Sequence, residues 1–410
     1  MTKLSRYTLV IIAILTASIV IPELYWIAFD KPNKVPYVQY SCILEDFAIY
    51  NSSEDTRTDP KGNSYTRDEY EKLLPLMYTR QLMMDNRLED TIRGVATDMQ
   101  TFNKARAYNR IRPNDFQAPA PQLYPLFESE SGRATLEFPE DFFRINWRVE
   151  FINANTNSID EAKSRTFSAA LYQDGFQFPA KSISGIPTTR KSCDEGYLII
   201  DADEQLFHLK LIKGKPYVKR VDLPKGVKFK HISCVDFKDK IFYAFLIAQD
   251  NSIYTLTQDV YQLVRWPIND YIAETQELKI QGDYFNYNIT LTADDMQKSY
   301  ALDKDLNVLD TYEYTWLARQ DRVAGKISAS LFPFEFSLTD SNSSFIRLYP
   351  KLSKGFIWIF VNLMFVLLQF YLIKKRQTKL FKQVIDLVLV ALTGIFGFIA
   401  VNAFPNKVMK

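Results

Sequence analysis

Residues 355–373 read Gly-Phe-Ile-Trp-Ile-Phe-Val-Asn-Leu-Met-Phe-Val-Leu-Leu-Gln-Phe-Tyr-Leu-Ile, without a charge. At about 1.5 Å per residue such a helix reaches roughly 28 Å, enough to cross a bilayer core. The following stretch, 374–382, carries Lys374, Lys375, Arg376, Lys379 and Lys382 and no acid. A second apolar run, 384–404, comes next. Residues 355–404 therefore read as a transmembrane hairpin with a basic turn. The positive-inside rule puts that turn in the cytoplasm, with Lys410 and residues from about 30 to 353 on the outer side.

The other end of the chain reads in the same terms. Residues 7–21 are uncharged and mostly apolar, and 22–29 extend the run through Tyr25 and Trp26. A signal peptide is the alternative. The run continues past the small residues Ala17 and Ser18, and the aromatic pair suits the outer interface, so 1–29 is read as an uncleaved anchor. Lys3 and Arg6 keep its N-terminus inside. The layout is three transmembrane helices around an outer region, with Glu23 hydrated at the outer interface.

The chain has 410 residues, and its 50 Lys+Arg stand against 48 Asp+Glu. That balance excludes a nucleic-acid binder of ordinary type. Thirty Phe and 24 Tyr against 13 Gly favour sheet. Two histidines, His208 and His231, leave little room for Ser-His-Asp, Cys-His or histidine–metal chemistry. Three cysteines form no CxxC; one disulfide, Cys193–Cys234, is open to an extracytoplasmic domain.

Within 30–134 the clearest soluble helix is 66–84. Thr66 and Glu69 have capping-box spacing, and Tyr70, Leu73, Leu74, Met77 and Tyr78 form one apolar stripe. Pro75 should kink it. From about residue 135 to 353, short alternating segments are separated by Asp, Asn and Gly turns. Asn155, Asp203, Asp250, Asp295 and Asp340 recur at steps of about 48, 47, 45 and 45 residues, the length of a four-stranded propeller blade. The fold class is membrane-anchored and mainly β: an extracytoplasmic propeller-like array of about five repeats, with a sandwich or other β-rich fold as the alternative.

Lys210, Lys213, Lys215, Lys219, Arg220, Lys225, Lys228 and Lys230 make the densest soluble charge run. It reads either as a patch for anionic surfaces or as the outward face of strands, and the alternation in 227–232 favours the strand face. In the membrane runs, Asn362 and Gln369 lie seven apart on nearly one helix face, suited to a partner helix. Gly394 and Gly397 would allow close helix approach. Asp386 has Lys382 four residues before it for a local ion pair. There is no P-loop, GxGxxG, GxSxG or HExxH motif, so no catalytic, cofactor-binding or metal-ligating residue is assigned. A propeller-fold hydrolase using convergent carboxylates is the weaker alternative.

The stretches Leu44-Glu45-Asp46-Phe47-Ala48-Ile49-Tyr50, Lys61-Gly62-Asn63-Ser64-Tyr65-Thr66-Arg67-Asp68-Glu69, Leu73-Leu74-Pro75-Leu76-Met77-Tyr78 and Arg80-Gln81-Leu82-Met83, together with the anchor–domain–hairpin order, resemble an uncharacterised bacterial family of membrane-anchored proteins. That family, a domain of unknown function, is encoded beside ABC-transporter genes. The resemblance carries no catalytic residues. It implies ABC permease or ATPase subunits as partners, beside membrane lipid. The expectation is a non-enzymatic accessory subunit of an ABC-type transport complex in a bacterial inner membrane, binding a partner or ligand through its outer domain. A stand-alone outer-face sensor is the alternative.

Overall fold

The computed structural model describes residues 3–31, 33–133, 135–377 and 380–406. Lys379 of the basic turn and residues 407–410, on which part of the topology rests, lie outside the described residues. The chain divides into two compact units, one of residues 34–314 and one of 1–33 with 315–410.

The helical unit begins with α1 (Lys3–Phe29). The β-rich unit opens with a sheet of β1 (Tyr37–Ser41), β2 (Asp46–Asn51) and β3 (Thr56–Thr58). Thr66 then caps α2 (Arg67–Leu73): its hydroxyl accepts from the Glu69 N–H at 3.3 Å, and the Glu69 carboxylate accepts from the Thr66 N–H at 2.8 Å. The helix stops at Leu73 and resumes as α3 (Thr79–Met84), so the expected single kinked helix is two. Pro75 explains the stop, because it disfavours helix in the residue before it. A two-stranded hairpin, β4 (Thr91–Ile92) and β5 (Val95–Ala96), leads to α4 (Met99–Lys104) and β6 (Ala107–Ile111).

Four more sheets follow. β7 (Tyr124–Pro125), β8 (Asp141–Ile145) and β9 (Val149–Asn153) pair in order and precede α5 (Glu161–Gln173). β10 (Ser182–Gly185), β11 (Tyr197–Ile200), β12 (Leu206–Ile212) and β13 (Lys215–Val221) form an antiparallel meander. A second meander comprises β14 (Phe229–Cys234), β15 (Phe242–Ala248), β16 (Ile253–Thr257) and β17 (Leu263–Arg265). A third comprises β18 (Glu277–Gly282), β19 (Tyr287–Thr292), β20 (Met296–Leu302) and β21 (Val308–Thr315). β6 pairs with β18 as a fifth strand, so the region before residue 135 shares a sheet with the region after it.

The sheets pack in series. Phe143, Phe151 and α5's Phe167 share a core with Ile199 and Phe207. Leu198 and Ile200 share the next with Leu246 and Leu256. Phe245 and Trp266 share a third with Leu278 and Tyr287, and Val38 and Phe47 pack on Ala301. Successive residues of β11 enter opposite cores, which explains why it is apolar on both faces.

The 45–48-residue period is real in three places: Asp203, Asp250 and Asp295 all occupy the turn between the second and third strands of a meander. Five equal repeats are not present. Asn155 lies between β9 and α5, and Asp340 follows β22 (Phe334–Ser337), which pairs only with β23 (Tyr349–Leu352) in the helical unit. The result is β-rich with several small sheets and no closed barrel or propeller.

The helical unit continues with α6 (Val323–Leu331), β22, β23, α7 (Ile357–Lys375), α8 (Val384–Thr393) and α9 (Ile395–Ala403). Among the described residues two helices, α1 and α7, are long and apolar enough to cross a membrane, not the three expected. The run 384–404 is broken at Gly394, whose φ of +58° and ψ of −126° suit glycine alone. Its two ends return together: the Asn406 amide donates to the Lys382 carbonyl at 3.1 Å. Arg6 donates to the Asp386 carboxylate at 2.8 and 2.7 Å and to the Phe404 carbonyl at 2.7 Å. The basic turn and the end of α9 therefore lie at one end of the unit, and residues 384–404 do not form the single spanning helix expected.

Candidate functional site

Three Asp-anchored turns and the end of α4 build the principal cleft of the β-rich unit. Asp283 accepts from the Phe285 and Asn286 N–H groups, each at 2.8 Å, fixing the β18–β19 turn. Asp303 accepts from the Asp305 N–H at 2.9 Å and the Asn307 N–H at 2.8 Å, fixing the β20–β21 turn. Asp239 accepts from the Ile241 N–H at 3.4 Å before β15. Such side-chain-to-backbone bonds are the ordinary reason Asp occupies turns. Here they hold Tyr284, Tyr287, Lys304 and Asp239 around a cleft of about 600 Å³, whose apolar wall includes Phe242, Val264 and Leu306.

The walls are rigid where the rings pack. Tyr287 lies 5.2 Å from Trp266 and 6.3 Å from Phe242, and Tyr284 lies 5.4 Å from Phe102. The Lys304 ammonium sits 4.0 Å over the Tyr287 ring and donates to the Asp283 carbonyl. Lys304 and Asp239 make no ion pair with one another within 4 Å. Desolvation pushes the Asp239 and Asp283 carboxyls up from the usual carboxylate range, against nearby Lys304 and, for the two carboxyls respectively, Lys104 and Arg106. The same desolvation pushes Lys304 down, against Asp283 and Asp239. Perturbed ionisable groups in a largely apolar cleft make this the candidate site. No histidine or cysteine lines it, and the arrangement offers a carboxyl, an ammonium and aromatic faces to a ligand rather than a base-activated nucleophile.

The sequence did not single out these residues. Only their turn chemistry was visible, and the four walls come from segments up to 205 residues apart, Thr101 to Leu306.

The basic run is distributed over two sheets. Lys210 pairs with Glu195, Lys213 with Glu130 at 3.3 Å, and Lys230 with Glu274 at 2.6 Å. Lys219 lies 5.0 Å over the Tyr261 ring and Arg220 donates to Gln205 at 2.9 Å. Lys215, Lys225 and Lys228 are exposed. Below Lys210, His208 is buried: its Nε2–H donates to the Glu195 carbonyl, so Nδ1 accepts from the Tyr261 hydroxyl at 3.0 Å. Tyr243 donates to the same hydroxyl at 3.2 Å. Burial pushes the His208 imidazole down to about 3. The three cysteines are free thiols; Cys193 and Cys234 line one small cavity.

In the helical unit Asn362 and Gln369 share a face, and that face points inward. Asn362 donates to the Ala391 carbonyl at 3.1 Å, and Gln369 accepts from Asn402 at 2.7 Å. Asn402 also accepts from Arg376 at 3.0 Å. Asp386 pairs with Arg6, 380 positions away, rather than with Lys382. Gly394 packs against Asn362, and a Cβ on Gly397 would meet Thr393 Oγ1 at 2.3 Å, so both glycines serve close packing of α7, α8 and α9. Lys374, Lys375 and Arg376 end α7, and Lys382 precedes α8.

The family model described as Domain of unknown function (DUF4857) matches residues 37–302, from the first residue of β1 to the last of β20. The match covers most of the chain, and the chain belongs to that family. It does not extend to the helical unit. No curated protein matches the chain.

Proposed function

We propose that this member of the DUF4857 family is a membrane-anchored, non-enzymatic accessory subunit of an ABC-type transport complex in a bacterial inner membrane. Its β-rich unit takes a partner or ligand in the Asp239–Lys304 cleft, and that cleft is the observation that carries the reading. The serial stacking of several small sheets supports an open β-rich framework for it. The helical unit supports the anchor: polar Asn362, Gln369 and Asp386 are buried while Phe356, Phe360 and Leu367 are exposed, the distribution that a hydrocarbon solvent favours.

In this reading α1 and α7 cross the membrane with residues 374–382 inside and 34–314 outside. α8 and α9 enter and leave from the inner face as a half-depth hairpin, each about 15 Å long. Backbone broken at membrane depth is tolerated only where protein buries it, as Asn362 does at Gly394.

The test is affinity purification of the full chain in mild detergent. ABC permease or ATPase subunits should co-purify with it, and Asp239→Ala with Tyr284→Ala should release them or a cleft-bound ligand. Equal recovery of those subunits with an unrelated two-span control would end the accessory-subunit reading. Ligand binding without any partner would favour the stand-alone sensor.

A further inference from the structure

We propose that a second cleft, at the outer ends of α1 and α7, holds the headgroup of an anionic glycerophospholipid. This rests on the reading of the helical unit as membrane-embedded. The cleft measures about 630 Å³ and is bounded by Trp26 of α1, by α6, by the end of β23 and by Ile357 of α7.

Three ammonium groups line it, and none of them is held in a close ion pair. Among the described residues Lys326 makes no ion pair within 4 Å. Lys354 reaches the neutral Gln320 side-chain oxygen at 3.4 Å. Lys351 is 3.8 Å from Asp340. Two acids also line the cleft, Asp321 and Glu335, and Glu335 accepts the Ser328 hydroxyl at 2.9 Å. Arg319 is not available to a ligand: it stacks 3.9 Å over Trp26 and pairs with Asp30 at 3.2 Å.

The walls are fixed rather than adaptable. The Ser353 hydroxyl donates to the Ala329 carbonyl, tying the end of β23 to α6. A Cβ on Gly325 would meet the Arg319 and Gln320 carbonyls at 2.4 Å, so α6 is held directly under that loop.

A free phosphate would satisfy the lysines, but the surroundings favour a lipid. Below the cleft, Phe356, Phe360, Leu363 and Leu367 follow one another at helical spacing down α7, and all are exposed. An acyl chain laid on that stripe would leave its headgroup level with the lysines and Trp26, where cations and Trp are favoured at a membrane interface.

The experiment reconstitutes the full chain in nanodiscs of phosphatidylcholine and phosphatidylglycerol, releases it, and counts retained lipid by native mass spectrometry. Phosphatidylglycerol should be retained over phosphatidylcholine. Each lysine near an anionic headgroup is worth roughly a fivefold factor, so Lys326→Gln with Lys351→Gln and Lys354→Gln should abolish the preference. Lys213→Gln with Lys215→Gln should leave it intact. Equal retention of the two lipids by the unmodified chain, or an undiminished preference in the triple variant, would overturn the proposal. Displacement of phosphatidylglycerol by millimolar inorganic phosphate would reassign the cleft to a soluble anion. Failure of the chain to enter nanodiscs at all would instead strike the membrane reading itself.

Discussion

In the β-rich unit Trp266, Phe245 and Phe207 are fully buried and most lysines are outside; in the helical unit Phe360 and Phe356 are outside and Arg6, Asn362 and Asp386 are inside. The same pair of forces gives both arrangements. Apolar surface leaves water, and a polar group away from water needs a partner. The comparison teaches that the polar groups of the helical unit hold its parts together rather than facing outward.

The sharpest break of this comparison is topological. With Cys42, Cys193 and Cys234 replaced, Asp305→Cys should react with a membrane-impermeant thiol reagent in intact cells. Gln377→Cys and Asn406→Cys should both react only after the cells are opened. Labelling of Asn406→Cys in intact cells would turn the α8–α9 hairpin back into a crossing helix.

Next in size is the Arg6–Asp386 pair. Removing one partner of a buried ion pair costs about 3–5 kcal/mol, because a charge is left without compensation. Asp386→Ala should therefore open the helical unit to hydrogen exchange while the β-rich unit keeps its protection. The double change Arg6→Leu with Asp386→Leu should cost less than either single change. A double change as damaging as the sum would mean that the two residues act separately.

Gly394→Ala should cost about 1–3 kcal/mol, the range for a strained backbone conformation. A Cβ there would also stand 2.0 Å from Asn362 Oδ1. Asn362→Ala should restore part of the loss, relieving the clash but not the positive φ. Protease resistance of the helical unit in detergent reports both. Full rescue would mean that the backbone conformation carries no cost.

The smallest effect sets the units apart by pH. His208 titrates near 3 when folded against 6.5 ordinarily, and burial pushes His231 down as well. Between the two values the unfolded chain binds protons that the folded chain does not, so stability falls as pH drops below about 6.5. For His208 alone the loss by pH 5.5 is about 1 kcal/mol. Hydrogen exchange of the β-rich unit should quicken over that range, and His208→Gln should flatten the response. An unchanged slope in that variant would place the sensitivity elsewhere.

Among the site residues, legibility followed distance along the chain. The α2 capping box was readable because its partners are three residues apart, and the meander turns because Asp binds its own backbone. Pro75 was seen, but its effect was underestimated: it ends the helix rather than kinking it. The cleft was invisible, because Asp239, Tyr284 and Lys304 have unremarkable neighbours and become unusual only when turns of two sheets bring them around one cleft.

The sequence by itself determined the apolar helices, the β-rich middle and the blade-length period, since each is a repeat of local side-chain preference. Only the tertiary structure decided that 384–404 folds back. A run of apolar residues specifies burial in hydrocarbon but not direction. Direction was set by a glycine conformation at one position and by Arg6, which grips Asp386 and the Phe404 carbonyl from the opposite end of the chain.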